Sequence, residues 1–239
     1  MYDRPENRAA HDALWSLIRS ELGYGPETLT RDLPPDATWA HPDLVLGQIC
    51  NLPYRARHRE TLVRIANADY GLPDTPPGYY HAVFIVQKKD AARGLGPACL
   101  GTFAYNDPLS HSGWGAPLAT ITAKGLAFRD TLATGSHINS ARAVAEGRAD
   151  LASIDAVTWR MLSQWEPWTQ DLEVIGRTSL SPGMTFVTTQ AHDADAIHGA
   201  IARAISAQRP DHAEVLGLKG LVQLPDRAYD LPLPPAPPR

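Results

Sequence analysis

The sequence predicts an α/β fold in which a mostly parallel sheet is flanked by helices, and three observations predict it. From residue 79 onward, short apolar runs alternate with amphipathic stretches of about ten residues, the pattern of strands joined by crossover helices. The run YYHAVFIVQ (79–87) is continuously apolar, β-branched and aromatic, as a strand covered on both faces must be. The composition is that of a folded globule, with 44% hydrophobic and 20% charged residues, which excludes intrinsic disorder and a disulfide-stapled miniature. A length of 239 residues allows one large domain or two small lobes.

Taken in order, residues 3–22 predict a helix: Asp3 and Glu6 have capping-box spacing, Ala10, Leu14, Leu17 and Ile18 fall near one face, and Gly23 stops it. LVLGQIC (44–50) predicts a short buried strand running into the turn Asn51, Leu52, Pro53, Tyr54, and 57–68 a weaker helix. Strands follow at 79–87, 98–104, 128–134, 151–154 and 172–178, separated by helices at 112–123, 138–147 and 156–165. MTFVTT (184–189) is a further strand, and Ala194, Ile197, Ala200, Ile201, Ala204 and Ile205 mark an amphipathic helix. The chain closes on LPLPPAPPR (231–239), whose prolines predict an extended, polyproline-like tail.

Charge and motif content exclude several functions. With 22 Lys and Arg against 26 Asp and Glu, the net charge is -4, so no basic field exists to hold a nucleic acid. No run approaches the roughly 18 apolar residues of a membrane span, so no membrane insertion is expected. The opening MYDRPENRAAHDALW lacks the basic start and apolar stretch of a secretion signal, so the chain reads as cytoplasmic, or as periplasmic if a signal was removed. The nine histidines and two cysteines show no His-x-x-x-His or Cys-x-x-Cys pairing, and no phosphate-binding glycine motif follows a strand. No metal and no cofactor is therefore expected, and Cys50 and Cys99, each in an apolar segment, read as inert thiols.

The densest polar cluster, YNDPLSHSGWG (105–115), falls between a predicted strand and a predicted helix. Such a junction aims unpaired amides and the positive end of the helix dipole at one point. Ser110 and Ser112 add hydroxyls, which suits a small oxyanion. Helix capping accounts for one serine without explaining Ser-His-Ser-Gly together. Thr134, Gly135, Ser136 and His137 form a second junction of the same kind, and LASID (151–155) ends a strand in the carboxylate of Asp155. Asp155 either caps the following helix or faces the anion, and in the second case it selects a ligand that brings a proton or an amine, rejecting sulfate. Ser110 or Ser112 with His137 and Asp155 also has the residue types of an acyl-transfer triad. The chain order is wrong for an α/β-hydrolase, however, and Gly-x-Ser-x-Gly is absent.

These residues resemble the substrate-binding proteins of phosphate, phosphite and phosphonate ABC transporters. The likeness runs from Gln48 to Tyr54, through 79–83 and 106–113, to Gly135, Ser136, His137, the segment AVAEGRAD (143–150) and Asp155. The resemblance implies a type II periplasmic-binding-protein fold of two α/β lobes. Lobe 1 would comprise 1–88 with 183–228, lobe 2 would comprise 89–182, the crossing strands would lie near 83–88 and 184–188, and 229–239 would be a Pro-rich tail. It further implies a non-enzymatic protein that captures a small phosphorus oxyanion between the lobes for uptake, with an ABC transporter permease as partner. The implied ligand residues are Tyr54 and Tyr80 from lobe 1 and Ser110, His111, Ser112, His137 and Asp155 from lobe 2. The alternative is the same fold reused as a cytoplasmic sensor or enzyme for another small ligand.

Overall fold

The computed structural model describes residues 2–238. Among these the strands, in chain order, are β1 (Gly47–Ile49), β2 (Leu62–Asp69), β3 (Tyr79–Tyr80), β4 (Ala82–Gln87), β5 (Thr102–Tyr105), β6 (Asp130–Ala133), β7 (Leu151–Asp155), β8 (Leu172–Arg177), β9 (Ser181–Pro182), β10 (Thr185–Thr189) and β11 (Gly220–Val222). They divide between two compact units. One contains Tyr80–Ser181 together with Tyr2 and residues 231–238, the other Asp3–Tyr79 and Pro182–Asp230.

The unit containing Tyr80–Ser181 is built on a five-stranded sheet of order β6-β5-β7-β4-β8. β5 runs parallel to β6 and β7, and β4 runs antiparallel to both β7 and β8, so four of the five strands share one direction. β4 and β7 are buried along most of their length, as the continuous apolar runs require. On one face Phe84, Phe103, Tyr105, Trp114, Ile121 and Leu151 form a core. There Phe103 stacks on Phe128 at 3.7 Å between ring centroids. Burying each such side chain contributes about 1.5–3 kcal/mol.

The second unit carries a four-stranded sheet of order β1-β10-β2-β11 in which every pairing is antiparallel. Its largest helices, Arg8–Leu22 and Ala194–Ala207, pack on each other through faces that include Ala10, Leu14 and Ile18 on one and Ile197, Ala200 and Ile201 on the other. Gly23 takes the left-handed conformation, φ 75°, and returns its N–H to the Arg19 carbonyl, closing the first helix where its sequence predicts.

The structure differs from the sequence reading at five points. The mostly parallel arrangement predicted for both lobes holds for the five-stranded sheet by strand direction, while the second unit is antiparallel. The stretch predicted as a helix over 57–68 is the strand β2 for most of its length. Leu62, Ile65, Ala66 and Ala68 are buried there between β10 and β11, and that pairing outweighs the helical preference of its alanines and arginine. The first helix begins at Arg8 behind Asn7, not in a capping box at Asp3, because Asp3 is engaged by Arg31 at 2.6 Å. The chain crosses between units at 79/80 and 181/182, rather than after 88, because β4 is zipped between β7 and β8. Finally, residues 231–238 carry no helix or strand but are anchored: the Trp114 indole donates to the Pro235 carbonyl at 2.8 Å. No helix among the described residues is long and apolar enough to cross a membrane. Neither cysteine forms a disulfide; Cys99 is buried in the core and burial pushes its thiol up.

Candidate functional site

Three parallel strands of the five-stranded sheet, β6, β5 and β7, lie side by side, and each runs at its carboxyl end into the start of a helix. After β5 the chain turns through Asp107, whose carboxylate accepts from the Leu109 amide at 2.7 Å. It then enters a wide, π-type helical stretch, His111–Gly115, that continues as the helix Ala116–Thr122. Ser110 caps this helix, its Oγ accepting from the Gly113 amide at 3.0 Å. A Cβ on Gly113 would overlap Asn106 Oδ1, so a glycine is needed for the Asn106 side chain to keep its place against the turn.

After β6, Ser136 caps the helix His137–Ala145 by accepting from the Asn139 amide at 3.2 Å. Thr134 ties this junction to the first, its amide and hydroxyl both donating to the Tyr105 carbonyl at 2.9 and 3.0 Å. The two junctions meet at Ser112 and His137, whose Oγ and Nε2 stand 2.8 Å apart, both residues being buried. Ser110 Oγ lies 3.5 Å from Ser112 Oγ. From β7, Ser153 donates its hydroxyl to the Ser112 carbonyl at 2.7 Å, locking the serine turn to the third strand.

Asp155 is the last residue of β7 and the cap of the helix Ala156–Trp165. Its Oδ1 accepts from the Thr158 amide at 2.9 Å, and its Oδ2 accepts from the Tyr2 hydroxyl at 2.9 Å. Its side-chain hydrogen bonds come from Tyr2 and Thr158 and none comes from His137, so the His–Asp link that a hydrolase triad needs is not made. Tyr80, just before β4, places its ring 6.3 Å from that of His111. The structure therefore gathers six of the seven sequence-predicted residues, Tyr80, Ser110, His111, Ser112, His137 and Asp155, in one unit. Tyr54 belongs to the other unit, where it packs edge-on to Tyr229 at 5.6 Å in the core and burial pushes its phenol up.

One participant has no counterpart in the sequence analysis: Ser153 is one polar residue in an apolar strand, a signal that its hydroxyl needs a buried partner. Tyr2, just before the first helix, is a residue the sequence offers as a lining of the cleft without a partner; its bond to Asp155, 153 residues away, is beyond the reach of local pattern.

Burial sets the electrostatics. It pushes the His137 imidazole down to about 3, against an opposing pull from the Ser153 backbone, so the ring is neutral at pH 7. Burial also pushes the Asp155 carboxyl up to about 6, against the donors from Thr158 and Tyr2. Among the described residues no group of three or more His, Cys, Asp or Glu side chains is placed to hold a metal ion. The unit thus carries hydroxyls, a neutral imidazole and helix starts at the carboxyl ends of β5 and β6, and a proton-accepting carboxylate at the carboxyl end of β7.

A family described as "ABC transporter, phosphonate, periplasmic substrate-binding protein" matches residues 46–229. No curated protein matches the chain in sequence. Among solved structures it is similar to a binding protein component of an ABC phosphonate transporter from Pseudomonas aeruginosa, at 18% identity and a TM-score of 0.71 over 95% of this chain and 80% of that one. It is also similar to PhnD1 from Prochlorococcus marinus in complex with methylphosphonate, at 16% identity and a TM-score of 0.69 over 94% and 91% of the two chains. A third similar structure is XAC2383 from Xanthomonas citri bound to ATP, at 16% identity and a TM-score of 0.66 over 92% and 90%.

Proposed function

Because this chain belongs to the family of periplasmic substrate-binding proteins of phosphonate ABC transporters, we propose that Ser110, His111, Ser112, His137 and Asp155 bind a small phosphorus oxyanion, with Tyr80 beside them. The observation that carries the reading is the 2.8 Å contact between Ser112 Oγ and His137 Nε2, which joins two strand-to-helix junctions into one cluster. A neutral His137 that donates Nε2–H to Ser112 leaves the serine proton free to point at an anion oxygen. The helix starts behind it add partial positive charge without a formal cation. Binding, with no covalent step, is the chemistry this set performs.

The Asp155 carboxylate supports selection by proton content. A hydrogen phosphonate, hydrogen phosphite or hydrogen phosphate donates its P–OH to the carboxylate, whereas sulfate at neutral pH offers only acceptors and is repelled. Family membership makes an ABC transporter permease the fitting partner for the loaded protein.

Calorimetric titration with methylphosphonate, phosphite, phosphate and sulfate at pH 7.5 tests this. The expected outcome is saturable binding of at least one phosphorus oxyanion and none of sulfate. Ser112→Ala and His137→Ala should each weaken binding about 5- to 30-fold, corresponding to about 1–2 kcal/mol for a lost buried hydrogen bond to a charged group. No heat with any of the phosphorus oxyanions, or unchanged affinity in both variants, contradicts the assignment.

A further inference from the structure

We propose that Tyr2 is a specificity-determining positioning residue of this site: by donating its phenol hydroxyl to Asp155 it keeps that carboxylate a proton acceptor, and so sets the pH at which proton-free anions are turned away. The inference rests on the reading of the cluster as an oxyanion site and adds to it a residue from a distant part of the sequence.

The geometry carries it. Tyr2 is buried at 6% exposure and Asp155 at 0%, with 2.9 Å between Oη and Oδ2. Although its neighbour Asp3 belongs to the other unit, Tyr2 groups with the unit that holds Asp155. Oδ1 is committed to the Thr158 amide as the helix cap, so Oδ2 is the oxygen that Tyr2 controls. A carboxylate oxygen has two lone pairs, so Oδ2 can hold the phenol and still accept a P–OH. The phenol hydrogen bond favours the ionised carboxylate, while complete burial disfavours it. Removing the phenol donor leaves burial less opposed, and the carboxyl then keeps its proton to higher pH. A protonated Asp155 is a donor, and a donor welcomes sulfate.

The titratable groups on the elements packed against β7 are Tyr80 and His81 beside β4, Tyr105 at the end of β5, His111 in the serine turn and His137 in the helix His137–Ala145. The cations on the flanking helices are Arg160 and Arg142, the latter paired with Glu166. All of these persist in an Asp155→Asn variant, which therefore isolates any pH dependence that is theirs.

The test compares the native chain with Tyr2→Phe, Asp155→Asn and the double variant. Sulfate and methylphosphonate are titrated from pH 5 to pH 8.5, and the carboxylic-acid C=O stretch is followed by infrared spectroscopy without ligand over the same range. In the native protein, sulfate affinity should rise as pH falls. In Tyr2→Phe the midpoints of both the sulfate profile and the infrared signal should move up together by about one pH unit, the scale expected for one hydrogen bond to a charged group. Asp155→Asn and the double variant should show one and the same sulfate profile, without that midpoint. An infrared midpoint that stays put in Tyr2→Phe overturns the proposal, as does a shift in sulfate profile between Asp155→Asn and the double variant. If the infrared midpoint moves but no phosphorus oxyanion binds the native protein, the reading of the site as an oxyanion site fails, and the proposed specificity role fails with it.

Discussion

His137 and Asp155 respond to acid in opposite senses. Burial lowers His137 from 6.5 to about 3, so its contribution to stability is complete above pH 6.5 and is lost as pH falls toward 3. Burial raises Asp155 from 3.8 to about 6, so its contribution is complete below pH 3.8 and is lost as pH rises through 6. Between pH 4 and pH 6 the two slopes oppose each other, and below pH 4 only His137 still acts. Stability set by this pair should therefore be nearly level from pH 6 to pH 4 and fall below it. At 1.36 kcal/mol per unit, Asp155→Asn should add about 3 kcal/mol of stability at pH 7 in the absence of ligand, since asparagine can still cap the helix at Thr158. The same variant should lose stability steadily between pH 6 and pH 4, where the native protein does not. Urea unfolding at a series of pH values measures both, and an Asp155→Asn curve parallel to the native one would contradict the burial argument.

At the scale of elements, the site depends on caps as much as on the residues that would touch an anion. Ser110, Ser136 and Asp155 each accept from an amide in the first turn of their own helix. Ser136→Ala should cost about 1 kcal/mol of stability. It should also weaken methylphosphonate binding several-fold, because His137 is the first residue of the helix that Ser136 caps; thermal melts and calorimetry read the two effects separately. These junctions were legible in the sequence because small polar residues between an apolar run and an amphipathic run have few other uses. The helices Ala156–Trp165 and Ala194–Ala207 were legible for the same reason, their periodicity being unbroken. The second unit's sheet was not. β2 contains Arg64, Asn67 and two alanines, residues without strand preference, and its identity comes from β10 and β11, which are more than a hundred residues away. The contact from Tyr2 to Asp155 was hidden in the same way.

At the scale of the whole molecule, the tail is part of the five-stranded unit. Trp114 is buried at 2% exposure, packs near Tyr105 and Phe103, and gives its indole N–H to Pro235. Because Trp114 lies in the same helical stretch as His111 and Ser112, removing residues 231–239 should lower the melting temperature and shift Trp114 emission to the red. Trp114→Phe should reproduce part of the destabilisation, about 1 kcal/mol for one hydrogen bond. An unchanged melting temperature in the truncated protein would show that the anchor carries no weight.

The bond from Trp114 to Pro235 spans 121 residues, and the segment between its ends includes Pro182–Asp230, which belongs to the other unit. A ribosome makes Pro182–Asp230 before Pro235, so the bond between Trp114 and the tail forms only after the other unit's second segment has been synthesised. Loop closure over such distances is slow. Refolding from urea should accordingly show the serine turn reaching its final packing late, with the indole emission trailing the recovery of backbone circular dichroism.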